Sequence, residues 1–211
     1  MPYQYPILLD LSRRSVLIVG GGRVALRKVR TLLDSDARQI RCVAPRIDPQ
    51  MPSEVQRIAE PYHVKYLDGM DLAFAVTDSP QVNDQVVQDA QMRNIWVCRA
   101  DTDTDQAGDF ILPAKFQRGP ITVAVSTSSP AISAAIRDQL SNLLDERWIK
   151  LAEAMQLLRP QVLACDGLTG QRRGDALRDL AGGQAMELLD EQGFTSLERW
   201  IKNRYPELNV T

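Results

Sequence analysis

The chain has 211 residues, room for one large domain or for a nucleotide-binding domain with a smaller companion. Its 44% hydrophobic and 25% charged residues are those of an ordinary globular protein, and a net charge of −2 gives no bulk attraction to nucleic acid or an anionic membrane. No apolar run approaches the ~20 residues that span a bilayer, no signal peptide is visible, and Cys42, Cys98 and Cys165 are too few and too scattered for a disulfide framework or a metal site, so no metal and a reducing, cytoplasmic home are expected.

Residues 15–20 (SVLIVG) are an apolar, β-branched run ending in glycine, the pattern of a buried strand. A helix is predicted over 21–35. Ala25, Val29, Leu32 and Leu33 share one face, and Arg27, Lys28 and Arg30 fall on the outer one. A strand fits 39–45, stopped by Pro45. Ser53 and Gln56 have the spacing of a capping box, which predicts a short helix over 54–60. Strands fit 63–68, 72–77 and 95–100, with a helix between the last two built on Val82, Val86, Val87 and Ala90. Strands alternating with helices imply an α/β fold with a parallel, Rossmann-type sheet.

The rhythm changes after about residue 109. Runs at 109–116 and 120–127, separated by Gln117-Arg118-Gly119, predict a hairpin. Pro130 then opens a helix with Ile132, Ile136, Leu140 and Leu143 on one face. From about 149 the pattern is helical, with Trp148, Leu151, Met155 and Leu158 as one stripe. Gly182-Gly183 weakens it, and Pro206 ends the last helix.

The sharpest local signal is Gly20-Gly21-Gly22-Arg23-Val24-Ala25, a G-x-G-x-x-A turn directly after a strand. Gly20 suits a tight turn, Gly22 lets backbone approach a pyrophosphate, and Ala25 lets helix and strand pack closely. The free N–H groups and dipole of the helix start favour phosphate. The acid that commonly holds the ribose ~20 residues further on is missing. That region reads Cys42-Val43-Ala44-Pro45-Arg46, so either backbone around Ala44 and Pro45 holds the ribose, or Arg46 accepts a 2′-phosphate.

Thr77 and Asp78 end a predicted strand, where open α/β sheets gather ligands. Asp78 could face ribose or substrate, or could cap the next helix. Asp101, Asp103 and Asp105 follow the fifth predicted strand and so lie at the same edge. A carboxylate there could act as general base, orient a substrate nitrogen or bind a cation, or the segment could be a polar turn. The single histidine, His63, opens a strand away from this edge, which argues against a histidine triad.

Taken in order, Tyr5-Pro-Ile-Leu-Leu-Asp-Leu, VLIVGGGRVALRK at 16–28, FAVTDSPQVN at 74–83, DFILPAKFQRGPITVAVST at 109–127 and SPAISAAIR at 129–137 resemble the precorrin-2 dehydrogenase/sirohydrochlorin ferrochelatase family, which includes the N-terminal half of bacterial sirohaem synthases. The resemblance spans about residues 3–150. It implies a Rossmann domain over 1–112, a dimerisation segment over 113–147 and a helical domain over 148–211, in a homodimer. It implies oxidation of the tetrapyrrole precorrin-2 to sirohydrochlorin with NAD as hydride acceptor, followed in some members by iron insertion.

The resemblance places Arg23 and Val24 against the cofactor and Ala44 with Pro45 on its adenosine side. It makes Asp103 the important aspartate of the loop, with Asp101 the alternative. Lys115, Arg118 and Arg137 are candidates for the substrate's carboxylates. The loop Ser126-Thr127-Ser128-Ser129-Pro130 is shorter than the family's and lacks its glycine, while Ser129 matches a serine that some members phosphorylate. A dehydrogenase without chelatase activity is the expectation. Two other readings stand beside it: an NAD-sensing regulatory module needing no catalytic acid, and a chelatase using the Rossmann domain as scaffold.

Overall fold

A computed structural model describes residues 5–99 and 108–209. The chain divides into two compact units, residues 1–112 and 113–211.

The first unit holds a five-stranded, wholly parallel sheet in the order β3-β2-β1-β4-β5. The strands are β1 (Ser15–Val19), β2 (Gln39–Val43), β3 (Gln56–Ile58), β4 (Leu72–Ala75) and β5 (Trp96–Arg99). Helix α1 (Arg23–Leu33) links β1 to β2, and α2 (Pro80–Met92) links β4 to β5. Parallel strands buried on both faces must be apolar throughout, and Val16, Leu17, Ile18 and Val19 are indeed sealed from solvent. Alternate residues feed two layers. Val16, Ile18, Cys42, Phe74, Val76 and Cys98 pack with Ala25, Leu26, Val29 and Leu32 of α1. Leu17, Val19, Val43, Ala73, Ala75 and Val97 pack with Val86, Val87 and Ala90 of α2.

Two expectations are corrected. The capping box does not start a helix: Ser53 bonds the Glu54 carboxylate, and Gln56–Ile58 pair with Arg41–Val43 as the edge strand β3. Seven residues are too few to repay helix nucleation, whereas the edge of β2 offers ready-made partners. Nor is 63–68 a strand. It forms a single 3₁₀ turn (Val64–Leu67), with His63 Nδ1 accepting from the Lys65 amide at 3.1 Å. This turn buries Tyr66 and Leu67 beneath the α2 layer.

In the second unit, β6 (Ala114–Arg118) and β7 (Ile121–Val125) form an antiparallel hairpin. The turn is tighter than predicted. Gln117 and Arg118 belong to the strand, and Gly119 adopts φ +51, as tight hairpin turns of the primed kind require. Helix α3 (Pro130–Leu143) packs across this hairpin but leaves Ile132, Ile136 and Leu143 exposed. Helices α4 (Glu146–Ala164), α5 (Gly170–Leu180), α6 (Gly183–Gln192) and α7 (Phe194–Arg204) close a separate core around Leu158, Leu168, Leu180, Leu197 and Ile201. The buried stripe of α4 is Leu151, Ala154, Leu158 and Val162, while Trp148 is exposed. No helix of the described residues is long and apolar enough to cross a membrane.

Both strand-to-helix corners that begin Thr-x-Ser-Pro are built alike. Thr77 Oγ1 bonds the Ser79 carbonyl, and the Thr77 amide donates to Asn83 Oδ1. Thr127 Oγ1 bonds the Ser129 carbonyl, and the Thr127 amide donates to Ser133 Oγ.

The amino edge of the sheet is clasped by Asp71. Its carboxylate accepts from the Ser15 amide at 2.8 Å and from Arg14 at 2.9 Å. The Ser15 hydrogen bond, helped by Arg14, holds the Asp71 carboxyl below its ordinary value of 3.8. A lowered folded value means the clasp stabilises fully above the unfolded value and is lost as pH falls through the folded one. Asp71→Asn is therefore expected to lower the melting temperature by a few degrees at pH 7. The difference from the parent should shrink as pH falls below 3.8 and through the lower folded value; thermal melts at pH 7 and across the acid range check this.

Candidate nucleotide site at the carboxyl edge

The G-x-G-x-x-A turn sits at the carboxyl end of β1, the central strand. Gly20 has φ +131, and a Cβ there would lie 2.6 Å from the Val76 carbonyl oxygen. Gly21 is more tightly held: a Cβ would lie 2.0 Å from the Arg46 carbonyl oxygen. Its own carbonyl accepts from the Asp48 amide at 2.8 Å. Sequence reasoning counts Gly21 with Gly20 and Gly22 among the cofactor-binding residues but does not foresee this constraint, which comes from a loop 25 residues further along the chain. Gly22 is the opposite case. It caps α1, is exposed, and has nothing within 4 Å of where a Cβ would stand.

The start of α1 is accordingly bare. No side chain caps it and no acid lies in its first turn, so its first amides have no intrahelical partner. Arg23 and Val24 are exposed there, while Ala25 is sealed against the sheet. Backbone amides, a helix dipole and open space above Gly22 together fit the pyrophosphate of a dinucleotide.

Ala44 and Pro45 follow β2, beside this turn. Ala44 is buried, with its Cβ 2.9 Å from the point where a Gly21 Cβ would stand, and Pro45 and Arg46 are exposed. One flank of α1 and the loop after β2 enclose a groove of about 440 Å³, lined by Arg23, Arg27, Arg30, Asp48 and Gln50. Asp48 is thus an acid near the expected ribose position. It lies five residues past the end of β2, beyond the spacing that sequence reasoning searched.

At the end of β4, Thr77 and Asp78 part company. Thr77 is consumed by the turn, bonded to Ser79 and Asn83. Ser79, not Asp78, caps α2, its hydroxyl accepting from the Val82 amide. Asp78 is exposed at the carboxyl edge with no hydrogen bond among the described residues.

Asp101 and Asp103 lie outside the described residues, but both ends of their segment are fixed. Residues 100–107 leave β5 after Arg99, whose buried guanidinium pairs with Asp84. They return at Gly108, which bridges Cys98 and has φ +85, with no room for a Cβ beside the Val97 carbonyl. Asp109 then bonds the Val97 amide at 2.9 Å, and Phe110 meets Phe74 edge-on at 5.6 Å. β5 lies two strands from β1, so Arg99, the last described residue before the segment, ends its strand roughly 10 Å from β1. Arg118 and Arg137 are engaged locally in the second unit, with the Leu144 carbonyl and with Asp138, and Lys115 is exposed on β6. The described residues contain no cluster of three or more metal-ligating side chains.

Gly21→Ala is expected to cost at least ~2 kcal/mol of stability, because backbone rather than a side chain occupies the space. Gly22→Ala should leave the melt unchanged yet weaken dinucleotide binding roughly tenfold, about 1.4 kcal/mol. Melts and calorimetric titration of the two variants test the division of labour.

A family model described as NAD(P)-binding matches residues 7–114. "Siroheme synthase 1" of Aeromonas hydrophila is 37% identical over 175 residues, covering 80% of this chain and 37% of that protein. "Siroheme synthase" of Tolumonas auensis is 33% identical over 204 residues, 94% of this chain and 43% of that protein. The chain thus spans about two fifths of the length of these relatives. Among solved structures, "SirC, precorrin-2 dehydrogenase" superposes with a TM-score of 0.75 at 22% identity, over 95% of this chain and all of that one, a likeness of fold. The chain belongs to this NAD(P)-binding family.

Proposed function

We propose that the chain oxidises precorrin-2 to sirohydrochlorin with NAD as hydride acceptor. The observation that carries this reading is the bare start of α1 above Gly22, at the carboxyl end of the central strand. Bound NAD would supply an acceptor for one hydride from the macrocycle. The protein does the rest. The amides of Arg23 and Val24 hold the pyrophosphate, and the segment around Ala44, Pro45 and Asp48 holds the adenosine end.

Loss of two hydrogens, one of them as a hydride, leaves the other to be removed as a proton. Asp103 takes that proton as general base, with Asp101 the alternative. Asp78, exposed at the same edge, contacts ribose or substrate. The short, glycine-free loop at 126–130 supports a dehydrogenase without chelatase activity. Formation of sirohaem from sirohydrochlorin and ferrous iron, well above the rate without protein, would overturn that part.

The working form is a homodimer joined through residues 113–147. Ile132, Ile136 and Leu143 on α3 supply an apolar face that the chain leaves uncovered.

The test is an anaerobic assay with precorrin-2 and NAD, then NADP, following the reduced cofactor and the sirohydrochlorin spectrum together. Joint appearance is expected, with NAD the better acceptor. Asp103→Asn should lower kcat at least 100-fold, the scale of a lost general base, while leaving NAD affinity unchanged. Cofactor binding without turnover by either dinucleotide would shift the reading to a sensing module. Light scattering should give twice the monomer mass, and Ile132→Asp with Ile136→Asp should give the monomer.

A further inference from the structure

The groove between α1 and the loop after β2 is lopsided in charge. Arg23, Arg27 and Arg30 line it from the helix, and Asp48 is the one acid among the described residues that lines it. Spacings of four and then three residues put the three arginines on a single flank of α1, and the buried Leu26 lies among them. The side chains of Arg23 and Arg27 make no hydrogen bond or ion pair among the described residues, and Arg30 reaches only the Gln50 side-chain oxygen, at 3.3 Å. Arg46, the cation that sequence reasoning offered for a 2′-phosphate, is not part of this lining; its carbonyl lies over the Gly21 turn.

Asp48 is fixed from several directions. Its amide donates to the Gly21 carbonyl at 2.8 Å, its carbonyl accepts from the Met51 amide at 3.0 Å, and its Oδ1 accepts from the Gln50 amide at 2.9 Å. Oδ2 accepts no hydrogen bond among the described residues. A half-buried carboxylate held this way, with one oxygen open to the groove, suits the two hydroxyls of a ribose. Its charge opposes a phosphate at the same place. The three guanidinium groups favour one, because their planar donors pair with phosphate oxygens and put charge behind each bond. The groove begins at Arg23, in the turn that receives the pyrophosphate, and ends at Asp48 and Gln50, in the segment that receives the adenosine end. A phosphate carried on that ribose is the anion that reaches the arginines while the pyrophosphate stays seated.

We infer that this groove is a pocket for the 2′-phosphate of NADP held in check by Asp48, so that one carboxylate sets the preference of the site for NAD. This rests on the dinucleotide part of the proposed function and not on the oxidation of precorrin-2. With the carboxylate charged, the ribose hydroxyls are held and the 2′-phosphate is opposed. With it neutral, Arg27 and Arg30 are left to bind the phosphate. The two arginine side chains thus act on NADP alone, whereas Asp48 acts on both dinucleotides in opposite directions.

The probes are ADP and adenosine 2′,5′-bisphosphate, the adenosine ends of NAD and NADP, which need no turnover. Each is titrated calorimetrically into the parent, into Asp48→Asn, and into Asp48→Asn combined with Arg27→Gln and Arg30→Gln. Asparagine keeps an oxygen to accept from the Gln50 amide, so the melt of Asp48→Asn should match the parent. The parent should bind ADP the more tightly. Asp48→Asn should move the ratio of affinities roughly tenfold or more toward the bisphosphate, a gain that shrinks as salt is raised. Removing both arginines should abolish the gain and leave ADP affinity within about threefold of Asp48→Asn. A ratio that Asp48→Asn leaves unchanged, or a gain that survives without the arginines, would overturn the assignment. So would a parent that prefers the bisphosphate, or inorganic phosphate binding to Asp48→Asn as tightly as the bisphosphate, which would make the pocket one for the free anion. A parent that binds neither probe would reject the dinucleotide site and the pocket together. Discrimination that depends on Asp48 in a protein that does not oxidise precorrin-2 would uphold the pocket and reject the dehydrogenase.

Discussion

The contact on which the first unit turns is the passage of the Gly21 backbone under the Arg46 carbonyl, with the Asp48 amide bonded back to Gly21. This crossing draws the loop after β2 against the turn after β1. It places the start of α1 over the centre of the sheet and opens one groove beside it. Gly20 repeats the constraint against Val76, on the side of β4. The turn is therefore gripped from both neighbouring strands, and only the third glycine is left free to face a ligand. A rigid support under an unobstructed set of amides is what electrostatic recognition of a phosphate needs, since no reorganisation is required when the charge arrives.

The same sheet sorts its two faces by partner. One face is covered by α2 and the 3₁₀ turn. The other is covered by α1, with Phe110 filling in against Phe74. The flank of α1 that looks toward β4 and β5 carries Lys28, which is half-buried there.

The parts of this arrangement that are written locally were readable. The runs SVLIV and LAFA are apolar at every position because both of their faces are buried. The glycine turn declares itself by following such a run. What escaped is what depends on distant chain. β3 is three residues, Gln-Arg-Ile, with no strand signature of its own; it exists because β2 presents an unpaired edge. Gly21 looks like a spacer until the 44–48 loop is placed over it. Asp48 lies outside the usual ribose spacing because the loop after β2 runs on before doubling back. Lys28 has the sequence position of a surface charge, and only the sideways seating of α1 shows otherwise. Thr77 and Asp78, adjacent in sequence, separate into a turn-builder and a free carboxylate because the turn needs one side chain and not the other.

The fixed ends of residues 100–107 carry a consequence for how such a protein changes over time. Cys98 and Gly108 are bridged whatever lies between them, and Asp109 and Phe110 lock the return strand in place. Lengthening an already closed loop costs little, about 0.6 kcal/mol for each doubling. Insertions, deletions and new acids between these two posts can therefore accumulate without disturbing the register of β5 or the seat of the dinucleotide. The described anchors thus tie the register of β5 to Gly108, Asp109 and Phe110 rather than to the length of chain between them.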